Sequence, residues 1–271
     1  MTPSLKMNAP VLKLNLTEII EDIFMVLTEK EREVVVQRFS LDNKERRTLE
    51  SIGRSFNVTR ERVRQIEKIA LGKLKRTVNS TKLRFIHEVA EAILRENGGL
   101  LLEDDLTRRI LDMIENSIDV DQHIVRLSLS ICPSLAYLEK NNTFRLSWHL
   151  SSISPDVIEE LLGHAHSVFS QKKEVMDEAA LVTEMKKHKY SQTFSLTDDF
   201  FIALLQVDER IKKTEFGYGL MTWRHINPKS IRDKALIVLR QENKPLHFVE
   251  IAKKIMESHF DLKKVTVQAV H

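Results

Sequence analysis

Thr48-Leu-Glu-Ser-Ile-Gly-Arg-Ser-Phe-Asn-Val-Thr-Arg-Glu-Arg-Val-Arg-Gln-Ile-Glu67 is the stretch whose reading decides the rest of the chain. Thr48 is an N-cap, and Leu49, Ile52 and Phe56 make the apolar stripe of a short helix. Asn57 closes that helix, because asparagine tolerates the left-handed conformation in which helices end. Thr59 caps a second helix, expected from Arg60 to about Arg76. Val63, Ile66, Ala70 and Leu74 fall on one of its faces. Glu61, Arg64, Gln65 and Lys68 fall on the other, with Arg60 at the first turn. A capped short helix, a tight turn and a longer basic helix form a helix-turn-helix, whose second helix offers its first turns to the major groove. The side chains suit base readout: Arg pairs with guanine, Glu accepts from the cytosine amino group and Gln pairs with adenine. A helix of alternating charge is more often merely solvated. Here the caps, the turn and the basic face occur together, which favours a DNA reader.

Upstream, Leu16, Ile19, Ile20, Ile23, Phe24 and Leu27 have helical spacing. Thr28 then opens a second helix, with Glu31 completing a capping box. That helix is expected to run to about Phe39 and to bury Val34, Val35 and Phe39, with a turn at Leu41-Asp42-Asn43.

Charge follows the same division. The chain has 271 residues and a net charge of +3. Residues 44–76 alone carry eleven Lys/Arg against four Asp/Glu, net +7, whereas residues 81–227 are net −6. Residues 1–43 are net −2 and residues 228–271 net +4. One short cationic segment on a mostly acidic body is the footprint of a dedicated nucleic-acid reader. It also leads one to expect that a fragment ending near Ser80 binds DNA at least as tightly as the whole chain, with a similar salt slope. Seven Gly and six Pro are too few for a loop-rich or β-rich fold, so a mainly α protein is expected. The single cysteine, Cys132, excludes an internal disulfide framework and fits a reducing cytosol. With no apolar run of membrane-spanning length and no signal segment, the expected location is cytoplasmic and nucleoid-associated, with no membrane partner.

The quoted stretch resembles region four of the sigma-70 family, of the primary type. Leu27-Thr-Glu-Lys-Glu-Arg-Glu33 and Gln37-Arg-Phe-Ser-Leu-Asp42 match as well, so the resemblance covers about residues 16–76. It implies recognition of a promoter's minus-thirty-five element in double-stranded DNA. Arg60, Glu61, Arg64 and Gln65 then stand at base-contacting positions. Lys30, Arg38, Thr48 and Leu49 stand at the DNA backbone, Leu49 through its N–H, and Thr59, Arg62 and Lys68 are expected there too. The resemblance further implies a partner, the β flap of core RNA polymerase, for which the apolar surface of Leu16 to Phe39 would form a groove. Only fifteen residues precede Leu16, so a promoter-melting region does not fit and full sigma activity is not expected.

Beyond Ser80 the sequence is self-similar. Ile93 to Ile110 aligns without gaps to Val238 to Ile255, and Val168 to Met185 fits the same frame. Leu127 then meets Ile202, Ala136 meets Ile211, and Trp148 meets Trp223, as in an array of small units. Each unit reads as helix, extended turn, helix, third helix and hairpin, a winged-helix pattern. The hairpins are expected over Leu135 to Trp148, turning at Asn141-Asn142, and over Arg210 to Trp223, turning at Gly217-Tyr-Gly219. The last unit, about 229–271, resembles the HARE helix-turn-helix domain, also found in the RNA polymerase δ subunit. It stops inside its expected third helix, as a truncated chain would. The expected organisation is a tail over 1–15, the region-four helix-turn-helix over 16–78, winged-helix-like units over 81–151 and 153–227, and the HARE-like unit.

Nothing in the sequence joins a nucleophile, a base and an oxyanion site, so neither an enzyme nor a small-molecule substrate is expected. His164, His166, His188, His247 and His259 lack metal-ligand spacing, and no metal or cofactor is expected. Trp148 and Trp223 are read as wing-packing residues in preference to base-stacking platforms. Cys132, before Pro133, is read as a small buried apolar residue in preference to a nucleophile. Two functions compete: a sequence-specific transcription factor, or an interaction factor that occupies the β flap and binds DNA only secondarily. The intact reading set favours the first.

Overall fold

The structure is a computed structural model, and it describes residues 14–115, 118, 121–194, 196–215, 217–258, 260 and 265–270. His259 and most of the expected N-terminal tail lie outside the described residues. The fold is mainly α: a helix-turn-helix domain followed by winged-helix-like units with small antiparallel sheets. The chain clusters into two compact units, residues 1–158 with 197–203, and residues 159–196 with 204–271. Among the described residues no helix is long and apolar enough to cross a membrane.

The first unit opens with four helices: α1 (Leu16–Phe24), α2 (Glu29–Phe39), α3 (Leu49–Phe56) and α4 (Arg60–Thr77). Their starts are set by local chemistry. The side chains of Asn15, Thr28, Thr48 and Thr59 accept from backbone N–H groups of the first turns, and Thr28 with Glu31 closes a full capping box. A 3-10 turn (Val78–Ser80) leads into α5 (Leu83–Glu96), β1 (Leu100–Leu102), α6 (Glu103–Leu111), α7 (Asp121–Ile131), β2 (Leu135–Leu138) and β3 (Ser147–Leu150). The sheet order is β1-β3-β2, with β3 antiparallel to both neighbours. Three helices and a three-stranded sheet closed by a hairpin make a winged-helix-like unit. Its hairpin bends at Asn141, whose side-chain oxygen accepts from the N–H groups of Thr143 and Phe144.

These two modules share one core. Leu16, Ile19, Ile20, Ile23, Phe24, Val35 and Phe39 are buried in the same cluster as Ile86, Ala90, Ile124, Val125 and Leu127. Helix α7 packs against α1, α2 and α4. The apolar residues of Leu16 to Phe39 expected to line a groove are therefore buried inside the chain, partly against α7, while Met25 and Val26 stay exposed. Packed also on α5, α6 and β2, α7 is covered nearly all round: Ile124, Val125, Leu127, Leu129 and Ile131 are buried, and Gln122 alone is exposed. A helix packed on all sides cannot enter a groove of DNA.

The second unit repeats the element order with changes. Helix α8 (Pro155–Lys172) begins near the unit boundary. Then follow α9 (Glu178–Met185), a short α10 (Lys189–Thr193), α11 (Asp198–Val207), β4 (Ile211–Thr214) and β5 (Gly217–Leu220). Gly217-Tyr-Gly219 is not a turn but lies in β5, and the chain reverses between Thr214 and Gly217, which are register partners. This hairpin is several residues shorter than the first, and the shortening moves the aromatic position. In the first unit Leu101 pairs with Trp148, and in the second Met176 pairs with Tyr218. Tyr218, not Trp223, thus occupies the place of Trp148. Trp223 lies beyond the hairpin, edge-on to Phe169 with centroids 5.9 Å apart.

The chemistry around the two aromatics matches as well. Trp148 Nε1 donates to Glu103 at 3.1 Å, and Glu103 also pairs with Arg126. The Tyr218 hydroxyl donates to Glu178 at 3.0 Å, and Glu178 pairs with Lys213 at 2.6 Å. In each unit one carboxylate at the start of the second helix satisfies the buried polar tip of a wing aromatic and a cation, as burial requires. The chain ends in α12 (Ile231–Glu242), α13 (Phe248–Glu257) and α14 (Val267–Val270), around Val238, Ile251, Ile255 and Val265.

Candidate nucleic-acid interface

Helices α2, α3 and α4 hold a small core of their own: Val34, Ile52, Val63 and Ile66, flanked by Leu49, Phe56 and Val58. It sets the angle between α3 and α4. Asn57 sits in the left-handed region at φ 54° and ends α3, as its sequence position foretold. Gly53 packs against the turn that joins the two helices. A Cβ there would come 2.7 Å from the Val58 carbonyl oxygen. The Gly53 carbonyl itself accepts from Val58 N–H at 2.9 Å, which fixes the turn.

With Val63, Ile66, Ala70 and Leu74 buried, α4 turns Arg60, Glu61, Arg62, Arg64, Gln65 and Lys68 outward, and all six are exposed. The reading side chains pair among themselves. Arg64 donates from Nε and Nη2 to the two Glu61 oxygens at 2.8 and 2.7 Å. Arg62 donates to Gln65 at 3.2 Å. The Arg64 guanidinium holds the Glu61 carboxyl below its ordinary value. Such solvent-exposed pairs are weak, so DNA can exchange them for base and phosphate contacts at little cost. They also keep α4 from presenting bare, mutually repelling cations before DNA arrives.

Thr48 and Thr59 are exposed caps, and Leu49 begins α3 at its partly buried edge, so its N–H sits at a helix N-terminus, which suits a phosphate. Lys30 is exposed on the first turn of α2. Arg38 differs from the rest. It donates from Nε to Glu67 at 3.1 Å and from Nη1 to the Arg47 carbonyl at 3.0 Å, with both side chains of the ion pair only 16% exposed. It ties α2 to α4 and to the loop before Thr48, so it braces the interface.

Sequence reasoning passed over Arg46. It is exposed, two residues before the Thr48 cap, and has no ion-pair partner among the described residues. Crowding by the protein around its head group, with the neighbouring Arg38 and Arg126 guanidiniums, holds it below the usual arginine value although the residue as a whole is exposed. Residues 44–47, Lys-Glu-Arg-Arg, carried the signal, a basic run directly before a capped helix. Elsewhere α11 offers no such face: it carries no cation, and its exposed positions are Asp198 and Asp199. Among the described residues no group of His, Cys, Asp or Glu is placed to hold a metal ion.

A capped basic helix braced by a shorter one, with its charged face free and its apolar face packed, defines a DNA-binding helix-turn-helix domain. Residues 23–76 match the family model described as Sigma-70, region 4, and this segment is a sigma-70 region 4 domain. Over 69 residues the chain is 49% identical to the RNA polymerase sigma factor SigA of a Bacillus species, of Listeria monocytogenes and of Listeria innocua. Each match covers 26% of this chain, which spans only 18% of the length of those relatives.

Proposed function

We propose that this protein is a sequence-specific transcription factor that reads a minus-thirty-five-like promoter element through α4. The observation that carries the reading is the outward set Arg60, Glu61, Arg64 and Gln65 on a helix whose other face is fixed in a core. Thr48, the Leu49 N–H, Thr59, Arg62, Lys68, Lys30 and the added Arg46 hold the DNA backbone. Arg38 positions the loop that carries Arg46 and Thr48. Arg60→Ala or Gln65→Ala costs about 1–3 kcal/mol at one base pair each. Arg46→Ala weakens all sequences alike and lowers the salt slope by about one. Binding measured against every single-base variant of a selected site separates the two classes. An Arg60→Ala protein with the wild-type order of preference would remove Arg60 from the reading set.

RNA polymerase is the second partner in this reading, supported by the SigA relatives. The alternative of a flap-docking factor is disfavoured by the burial of the apolar residues of α1 and α2 in a core they share with α7. Polymerase is therefore met through another surface, and the winged-helix-like units, whose third helices are buried and whose charge is acidic, suit protein contact better than DNA contact. We read the C-terminal three-helix unit, with its capping boxes at Ser230 and His247, as a HARE-type module with the same task. Capture of core polymerase on the immobilised chain is expected to be equal with and without the β flap tip. Loss of capture with the tip would mean that α7 leaves the shared core.

A further inference from the structure

Within the second unit, β4 and α12 border a half-open cleft of about 750 Å³. Its floor is apolar, formed by Val175, Ile226, Pro228, Ile237 and Phe260. A second cleft of about 330 Å³ adjoins it, sharing His225, Ile237 and Arg240, and reaches Leu236, an aliphatic side chain left 48% exposed. Cations stand around both: Lys212 and Arg240 on the larger, Arg224 and Arg232 on the smaller. The carboxylates nearby are already engaged. Asp233 accepts from Ser230 N–H and lies 4.0 Å from Arg224, and Glu215 accepts from the Gln241 amide at 3.5 Å. Lys212, Arg232 and Arg240 have no ion-pair partner among the described residues.

We propose that this double cleft is the docking site for an acidic, amphipathic peptide segment of a partner protein. Apolar side chains of the segment fill the floor, and its carboxylates meet Lys212, Arg232 and Arg240. The shape decides against double-stranded DNA. A duplex is convex, and its phosphates cannot reach a concave aliphatic floor. Single-stranded nucleic acid would need free aromatic faces on which bases stack. The cleft offers no run of them: Phe260 lies in the floor, and the His225 ring is stacked on Trp223 at 5.4 Å. A helical turn of peptide presents apolar residues three and four apart with acidic residues beside them, which matches a floor flanked by cations.

The test uses the full chain and a fluorescent peptide of about 15 residues, with Leu at helical spacing and Glu between. Control probes replace every Glu by Lys, or every Leu by Ser, and a single-stranded DNA of equal length is added. Saturable binding of the Glu/Leu peptide alone is expected. Arg232→Glu with Arg240→Glu should weaken it about tenfold, and Arg232→Lys with Arg240→Lys should keep it. Affinity for duplex DNA carrying the α4 site and the melting temperature should not change in either variant, which separates this site from the α4 reading. No peptide binding, equal binding of the Ser-substituted probe, tighter binding of the DNA strand, or indifference to the charge reversal would each overturn the proposal.

Discussion

A fragment holding only residues 14–80 is expected to lose its cooperative fold and its DNA binding, whereas one holding 14–203, which completes the first unit, keeps both. Charge alone argues the opposite, since the cationic segment ends before Ser80. Packing decides between them. In the intact chain Leu16, Ile20, Ile23 and Phe24 of α1 are between 1% and 5% exposed, in one cluster with α5 and α7 residues. Covering a side chain of this size contributes about 1.5–3 kcal/mol. Residues Val35, Phe39, Ala70 and Leu74 keep part of that cover, but losing the share given by α5 and α7 still removes a sizeable part of a domain's net stability of about 5–15 kcal/mol. Helix α4 suffers too, because Ala70 and Leu74 belong to the shared core, whereas Val63 and Ile66 belong to the small one. The reading half of the helix would be left on a frayed support. Thermal unfolding followed by circular dichroism, with anisotropy titrations of both fragments, checks this. A 14–80 fragment that melts cooperatively near the midpoint of the longer one, with equal affinity, would show that α7 is dispensable.

That shared core marks where the sequence stopped being informative. Caps are local, so Thr28, Thr48, Thr59 and Asn57 announced four helix ends from side-chain chemistry within three residues. The apolar faces of α1 and α2 were equally plain, but a hydrophobic stripe does not name its partner. A remote helix, α7, covers it, and α7 looked like any third helix of a winged unit. The same limit explains Trp223. Matching it to Trp148 at constant spacing assumed equal hairpins, and the second hairpin is shorter. The pairing of Met176 with Tyr218 puts tyrosine in that place. Arg38, expected at the DNA backbone, is held in a pair with Glu67 for a related reason. Which of two nearby arginines pairs with Glu67 depends on how α2 crosses α4, and no spacing along the chain encodes that.

Gly53→Val is expected to abolish specific DNA binding while Gly53→Ala weakens it mildly, and the two together test whether the α3–α4 angle is what makes α4 a reader. Gly53 is fully helical, so its role is not conformational freedom but space. In a helix interior, alanine is favoured over glycine by about 1 kcal/mol. That gain is set against a Cβ 2.7 Å from the Val58 carbonyl oxygen and 3.5 Å from Arg60 N, backbone atoms that cannot rotate away. Moving α3 off the turn by a few tenths of an ångström relieves the alanine, at a cost close to the gain. Valine adds two methyl groups into the same gap, and overpacking of this kind costs about 1–3 kcal/mol. The strain falls on the turn that aims Arg60, next to the Thr59 cap. Since each bidentate base contact is worth about 1–3 kcal/mol, a tilt that costs two of them lowers affinity for the selected site by about 30-fold or more. Non-specific binding depends on charge and should survive, so the ratio of specific to non-specific affinity is the quantity to measure. A Gly53→Val protein with wild-type melting behaviour and an unchanged ratio would mean that α4 is not held by α3, and that the reading face is set by the shared core with α7 alone.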